Sequence, residues 1–179
     1  MIYTTYYESQ VGRMLLAEKD GALIGAWIEG QKYFPDSFCE EMTQKDDMAV
    51  LKQAKQWLNR YFAGEKPETG ELSLAPAGSD FRRSVWQILC EIPYGSTTTY
   101  GAIAEQLARE KGLQNMSAQA VGGAVGHNPI SIIIPCHRVV GTNGSLTGYA
   151  GGVEKKQKLL KLEGVNMSNL FMPKKGTAL

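Results

Sequence analysis

The sequence predicts an α/β protein. A small α/β domain, an antiparallel sheet plus one helix, comes first. A mainly α-helical, helix-turn-helix (winged-helix-like) domain follows. Three observations predict this. Short apolar stretches separated by turn residues fill the first 40 residues. A 3.6-residue apolar period begins near Asp46 and returns in several short segments after Asp80. Between them, residues 64–79 carry Gly64, Pro67, Gly70, Pro76 and Gly78, which reads as a connection between domains. The domains are drawn at 1–75 and 76–165, with a tail at 166–179.

Met14-Leu15-Leu16-Ala17 and Leu23-Ile24-Gly25-Ala26-Trp27-Ile28 flank Lys19-Asp20-Gly21, a hairpin signal. From Asp46 to Phe62, residues Val50, Leu51, Ala54, Trp57, Leu58, Tyr61 and Phe62 share one helical face, and Gly64 closes the segment. Phe81, Val85, Trp86, Leu89 and Ile92 form a second stripe, ended by Pro93. Thr97-Thr98-Thr99 offers N-caps for a helix through Ile103, Ala104 and Leu107 that stops at Gly112. A third helix spans Ser117 to Gly126 and is built from small residues, which allow close approach to another helix or to the floor of a DNA groove. Two short helices joined by a tight turn fit a helix-turn-helix, although the plainer reading is an ordinary helical hairpin. Asn143-Gly144 reads as a hairpin or wing, and a last helix runs from Val153 to Glu163.

Of the 179 residues, 43% are hydrophobic and 21% charged, ordinary for a globular chain with a real core. Three scattered cysteines, Cys39, Cys90 and Cys136, argue against a disulfide framework or a structural zinc site and fit a reducing compartment. The N-terminus lacks the pattern of a signal peptide, and no apolar run reaches membrane-spanning length. The net charge of +1 hides an asymmetry: residues 1–75 carry −4 and residues 76–179 carry +5. A basic second half suggests a polyanionic partner. Lys155, Lys156, Lys158 and Lys161, on one helix, also read as a solvated face.

One segment stands apart chemically. In Ile134-Pro135-Cys136-His137-Arg138-Val139 a thiol follows a proline and precedes an imidazole and a guanidinium. The thiolate is the nucleophile, and a free cysteine with a pKa of about 8.5 needs positive charge or a base nearby to ionise at neutral pH. His137 and Arg138 are candidates, although neighbours on an extended strand point to opposite faces. The plainer reading of Cys136 is a small buried hydrophobe at a strand end.

With its surroundings, this segment resembles the active-site signature of the O6-alkylguanine-DNA alkyltransferases, or methylated-DNA–protein-cysteine methyltransferases. Ile92-Pro93-Tyr94-Gly95 followed by Thr99-Tyr100-Gly101 is similar to the start of that family's helix-turn-helix. Ala120-Val121-Gly122-Gly123-Ala124 is similar to its recognition helix. Asn128-Pro129, Gly148-Tyr149-Ala150-Gly151-Gly152 and Leu162-Glu163-Gly164 complete a set that covers residues 80–165 in consistent order.

The resemblance implies direct DNA repair. Cys136 takes the alkyl group from O6 of a guanine flipped out of duplex DNA and keeps it as a thioether, once per molecule. His137 acts as base through a bridging water, Glu163 orients the imidazole, and Asn128 anchors the network. Tyr100 helps to rotate the phosphate and donates to guanine N3. Tyr149 walls the pocket, the amide of Ala150 donates toward O6, and the carbonyls of Cys136 and Val139 accept from the exocyclic amine. Ala118, Gln119, Gly122 and Arg138 meet DNA, with the recognition helix in the minor groove. No metal and no organic cofactor are implied. The partner is double-stranded DNA containing O6-alkylguanine, and the protein is expected to be a cytoplasmic monomer, nucleoid-associated in a bacterium.

Two positions depart from the family pattern. Gln119 stands where the family places an arginine that fills the space of the flipped base, and Ser131 stands where some members have proline. A multiple-turnover thiol hydrolase with a Cys-His-Glu triad, and a non-catalytic binder of alkylated DNA, are the competing readings.

Overall fold

The structure, a computed structural model, describes residues 1–35 and 42–174; Cys39 lies outside them. It divides into two units: Met1–Ala77 with Pro129–Ile133, and Gly78–Asn128 with the chain from Ile134 onward.

In the first unit, β1 (Ile2–Ser9), β2 (Gly12–Lys19), β3 (Ala22–Ile28) and β4 (Met42–Gln44) form one sheet in the order β3-β2-β1-β4. The first three strands are antiparallel, and β4 runs parallel to β1. The expected hairpin turn forms at Asp20 and Gly21, whose φ angles of 52° and 80° give the paired left-handed conformation that suits the twist of the strands. Along β2, Leu15 and Ala17 point to a face where they meet Ile2 and Trp27, and Met14 and Leu16 point to the other. Trp27 folds back over Gly25; a Cβ on that glycine would sit 1.9 Å from the indole ring.

Helix α1 (Ala49–Phe62) packs across β1, β2 and β3. Its inward stripe is Val50, Leu51, Ala54, Trp57, Leu58 and Tyr61. Fully buried leucines such as Leu51 and Leu58 each contribute about 1.5–3 kcal/mol relative to exposure. The helix starts three residues later than Asp46, because the Asp46 carboxylate accepts a hydrogen bond from Thr5 of β1 and is held on the sheet. The segment expected to be a plain connection also belongs to this unit. Leu23 of β3 bridges Leu74, and the Leu23 N–H donates to the Ser73 carbonyl at 2.8 Å. Downstream residues join the same edge: Ala26 bridges Ile130, with Ala26 N–H to Pro129 O at 2.9 Å and Ser131 N–H to Ala26 O at 2.8 Å. Ser131 turns its hydroxyl to Gln31 at 3.2 Å.

The second unit is built on α2 (Asp80–Cys90), α3 (Tyr100–Glu110) and α4 (Ala118–Gly126), which pack pairwise. Each opens on a hydroxyl cap. Ser79, Thr99 and Ser117 accept from the N–H of Arg82, Ala102 and Ala120. The buried Trp86 donates its indole N–H to the Ala124 carbonyl at 2.8 Å and ties α2 to α4. α5 (Val153–Leu162) packs Leu160 on Val140 and Leu146. The wing expectation at Asn143-Gly144 is corrected. A tight turn forms there, but β6 (Val139–Val140) pairs in parallel with β5 (Thr98–Thr99), and Ser145 bridges Phe171 of the tail. Gly141 N–H to the Ser145 carbonyl at 2.8 Å closes the turn, but Leu146 N–H then donates to the Phe171 carbonyl at 3.0 Å, so among the described residues no two-stranded ladder extends from it.

Candidate active site

Two three-residue turns deliver the thiol. Ile133 N–H donates to the Ser131 carbonyl at 2.9 Å across Ile132, a β-branched residue with φ 72°. Such a conformation costs about 1–3 kcal/mol and persists only where the surroundings enforce it. Cys136 N–H then donates to the Ile134 carbonyl at 2.8 Å across Pro135. The Asn128 amide also donates to the Ile134 carbonyl at 2.8 Å. As a result Cys136–Arg138 is a single 3-10 turn and not the end of a strand, so the opposite-face geometry expected of Cys136 and His137 does not apply.

Cys136 is 4% exposed. Burial pushes its pKa up. Against that stand a hydrogen bond from the Asn128 side chain, the charge of Lys156, and the N–H groups of Cys136 itself and His137. Burial outweighs these groups and the sulfur rests as the thiol, with donors placed to favour its anion.

His137 and Glu163 are both buried, and the imidazole Nε2–H donates to Glu163 Oε1 at 2.6 Å. Burial lowers the His137 pKa against the pull of Glu163, so the imidazole rests neutral at neutral pH. For Glu163, burial raises the pKa, but His137 and Arg138 outweigh it and hold the carboxyl at about 2. Its two oxygens are filled. Arg138 Nη2 and Nε donate at 3.0 and 2.9 Å, and the Gly95 N–H donates at 3.2 Å. Arg138 Nη1 also donates to the Ile92 carbonyl at 2.6 Å, and its guanidinium lies 5.7 Å from the centre of the Tyr94 ring. Gly95 has φ 81°, and a Cβ there would come within 3.1 Å of the Glu163 carbonyl, so the turn needs glycine. Ile92-Pro93-Tyr94-Gly95 therefore serves as part of a cage around Glu163, a role that sequence reasoning missed.

The short β5–β6 pair sets Thr99 beside Val140, and so brings Tyr100, the next residue, toward the thiol segment. Tyr100 is buried, and its hydroxyl donates to the Thr147 carbonyl at 3.0 Å with the Gly148 carbonyl at 3.3 Å. Burial, then the charge of Cys136, raises its pKa above the ordinary phenol range. Tyr149 is buried edge-on to His137, with ring centres 6.4 Å apart, and its hydroxyl has no hydrogen-bond partner among the described residues. Ala150 is half-buried. The Val139 and Cys136 carbonyls each already accept one bond, from Lys156 and from the Val139 N–H.

Several expected positions are corrected. Arg138 is 8% exposed with its guanidinium committed to Glu163, which leaves no head group for a DNA phosphate. Gly122 is buried in the α4 packing; the exposed face of α4 carries Ala118 and Gln119, with open space beyond Gly123. The Tyr100 hydroxyl sits inside, on carbonyls, away from any surface phosphate. Ser131 is bonded to Gln31 in the first unit instead of lining the site. Lys156, read as part of a solvated face, is fully buried. Among the described residues, no group of three or more His, Cys, Asp or Glu side chains could hold a metal ion, and no helix is long and apolar enough to cross a membrane.

Comparison with known proteins places this geometry. Residues 2–76 match the 6-O-methylguanine DNA methyltransferase ribonuclease-like domain, and residues 80–165 match the DNA-binding domain of the same name. A methylated-DNA–protein-cysteine methyltransferase of Methanosarcina acetivorans is 43% identical, over 91% of this chain and 99% of its own length. The crystal structure of Mycobacterium tuberculosis O6-methylguanine methyltransferase superposes with TM-score 0.77 at 41% identity, covering 91% of this chain and 93% of that one. A structure of the Mycobacterium tuberculosis protein in complex with DNA matches with TM-score 0.75 at 40% identity, over 90% and 91%. A buried thiol among anion-favouring donors, beside a histidine anchored on a caged carboxylate, thus sits on the fold of these relatives over nearly its whole length, and the chain belongs to the O6-methylguanine-DNA methyltransferase family.

Proposed function

We propose that this protein repairs O6-alkylguanine in double-stranded DNA by one irreversible transfer of the alkyl group to Cys136. The observation that carries the reading is the polarity of the site. Burial disfavours the anion, but the Asn128 amide, the Lys156 charge and the Cys136 and His137 N–H groups favour it, and a neutral imidazole stands ready to take the proton. The S–H proton passes through a water to His137, and Glu163 stabilises the imidazolium. The Sγ–C bond forms as the C–O6 bond breaks, and the electron pair stays on guanine, which takes up one proton. Tyr100 turns its hydroxyl from the Thr147 carbonyl to donate to N3. The unpartnered Tyr149 hydroxyl, the Ala150 amide and the remaining lone pairs on the Cys136 and Val139 carbonyls meet the base.

Residues 76–165 carry DNA binding and alkyl acceptance. The exposed face of α4, with Ala118 and Gln119 at its start, contacts the minor groove. A thioether has no leaving group to regenerate the thiol, so each monomer acts once. The scattered cysteines suit a reducing cytoplasm, at the nucleoid in a bacterial host.

The test is intact-mass analysis with peptide mapping after equimolar O6-benzylguanine. One benzyl group on Cys136, absent from C136A, is expected. No adduct, an adduct on Cys39 or Cys90, or repeated turnover overturns the proposal. An oligonucleotide duplex with a single O6-methylguanine then measures transfer in DNA.

A further inference from the structure

α5 carries four lysines, and one of them points into the protein. Lys156 is fully buried, and among the described residues no carboxylate lies within ion-pair reach of it. Its Nζ donates instead to two carbonyls, those of Val139 and Thr147, the second at 3.0 Å. Such a cation is expensive: a buried ammonium paired only with dipoles retains a desolvation cost of several kcal/mol. Something at this place benefits from it.

The two carbonyls identify what. Val139 directly follows the Cys136–Arg138 turn, and Thr147 opens the segment that carries Tyr149. The Thr147 carbonyl also receives the Tyr100 hydroxyl. One ammonium therefore bridges the end of the nucleophile turn and the wall of the site. The ionisable groups around it are Cys136 and His137 of the turn, which both feel its charge, and Tyr100 of α3; Arg138 and Glu163 neutralise each other nearby.

We infer that Lys156 is a positioning residue for alkyl transfer: it clamps the Val139 and Thr147 carbonyls across the site and supplies a fixed positive charge that favours the Cys136 thiolate as the proton leaves. The buried cation then has an anion after all, the one that the reaction creates. Burial lowers the Lys156 pKa and the Cys136 anion partly restores it, which leaves it at about 8. This rests on Cys136 as the alkyl acceptor.

The test is Cys136 alkylation by iodoacetamide as a function of pH, followed by peptide mass mapping, in wild type, K156M and K156R, with thermal melting as the fold control. K156M is expected to move the Cys136 profile up by about one pH unit, a roughly tenfold slower reaction at pH 7 that is regained at high pH. K156R, which keeps the charge, is expected to return the midpoint toward wild type. Superimposable profiles for folded K156M and wild type overturn the inference. If K156M does not fold, the wild type decides by an NMR titration of the Lys156 side chain before and after Cys136 is capped with iodoacetamide. Removing the anion must lower the Lys156 midpoint, and an unchanged midpoint overturns the inference. Failure of the repair reading looks different: wild type that reacts with iodoacetamide but takes no benzyl group from O6-benzylguanine. The pH profiles stay readable in that case.

Discussion

Arg138 separates two physical pictures, a DNA contact and a structural cation, and R138M decides between them. Methionine keeps much of the aliphatic stem and removes the charge. In the structure this deletes two charge-assisted hydrogen bonds to Glu163, at 2.9 and 3.0 Å, and one to the Ile92 carbonyl at 2.6 Å. The two carboxylate bonds at about 1.5–3 kcal/mol each total roughly 3–6 kcal/mol. Breaking one side of a buried ion pair independently suggests about 3–5 kcal/mol. The pH dependence has a definite sign. Although burial pushes the Glu163 carboxyl up, His137 and Arg138 hold it at about 2, below its ordinary value of 4.5. A depressed pKa adds stability above the unfolded value, and that stability disappears as pH falls from about 4.5 toward 2. The gap between wild type and R138M is therefore widest at pH 7 and narrows through that window. Urea unfolding followed by circular dichroism across the pH range measures it. An exposed phosphate contact would leave stability within about 0.5 kcal/mol and would instead lower the salt dependence of duplex binding. A loss below about 1 kcal/mol at pH 7 refutes the caged-carboxylate account.

Three further outcomes follow from other positions. Q119R, on the exposed start of α4, should speed transfer from duplex DNA while leaving the rate with free O6-benzylguanine unchanged, because a guanidinium adds a stacking plane and charge that glutamine lacks; equal duplex rates reject the role. G123A should raise the melting temperature, since alanine gains up to about 1 kcal/mol in a helix and its Cβ meets nothing. The same methyl should slow duplex repair if this face enters a groove, and an unaltered duplex rate counts against that docking. G25A should cost about 1–3 kcal/mol by driving a Cβ into the Trp27 ring, read as a lower urea midpoint with altered tryptophan fluorescence; undiminished stability contradicts the packing described for the sheet.

The elements legible in the sequence are the ones with a period or a cap. Val50 to Tyr61 repeat every three or four residues, Thr99 offers a hydroxyl where a helix begins, and Ser117 opens the third, so these helices could be drawn to within about three residues. A two-residue strand has no period. The Thr98–Thr99 pairing with Val139–Val140 was invisible for that reason, and with it the way in which Tyr100 reaches the site. Cys136, His137, Glu163, Asn128, Tyr100 and Tyr149 come together inside the second unit. What surrounds Glu163 could not be read, because its partners include the Gly95 amide and, through Arg138, the Ile92 carbonyl, and main-chain atoms carry no residue identity. Lys156 did leave a signal. It falls three residues after Val153 and four before Leu160, on the inward stripe of α5, where a solvated lysine does not belong.

Residues 129–133 have a consequence for anyone trimming this molecule. The Pro129 carbonyl and the Ser131 amide pair with Ala26, the Ser131 hydroxyl with Gln31, and the Ile133 carbonyl with the hydroxyl of Thr69 at 3.0 Å. All of those groups come from before Gly78. A polypeptide started at Gly78 would keep its nucleophile and its histidine yet strand five residues just upstream of them without their mates, and the unusual kink at Ile132 would have nothing to enforce it. The leading sheet is in that sense the jig on which residues 129–133 are bent.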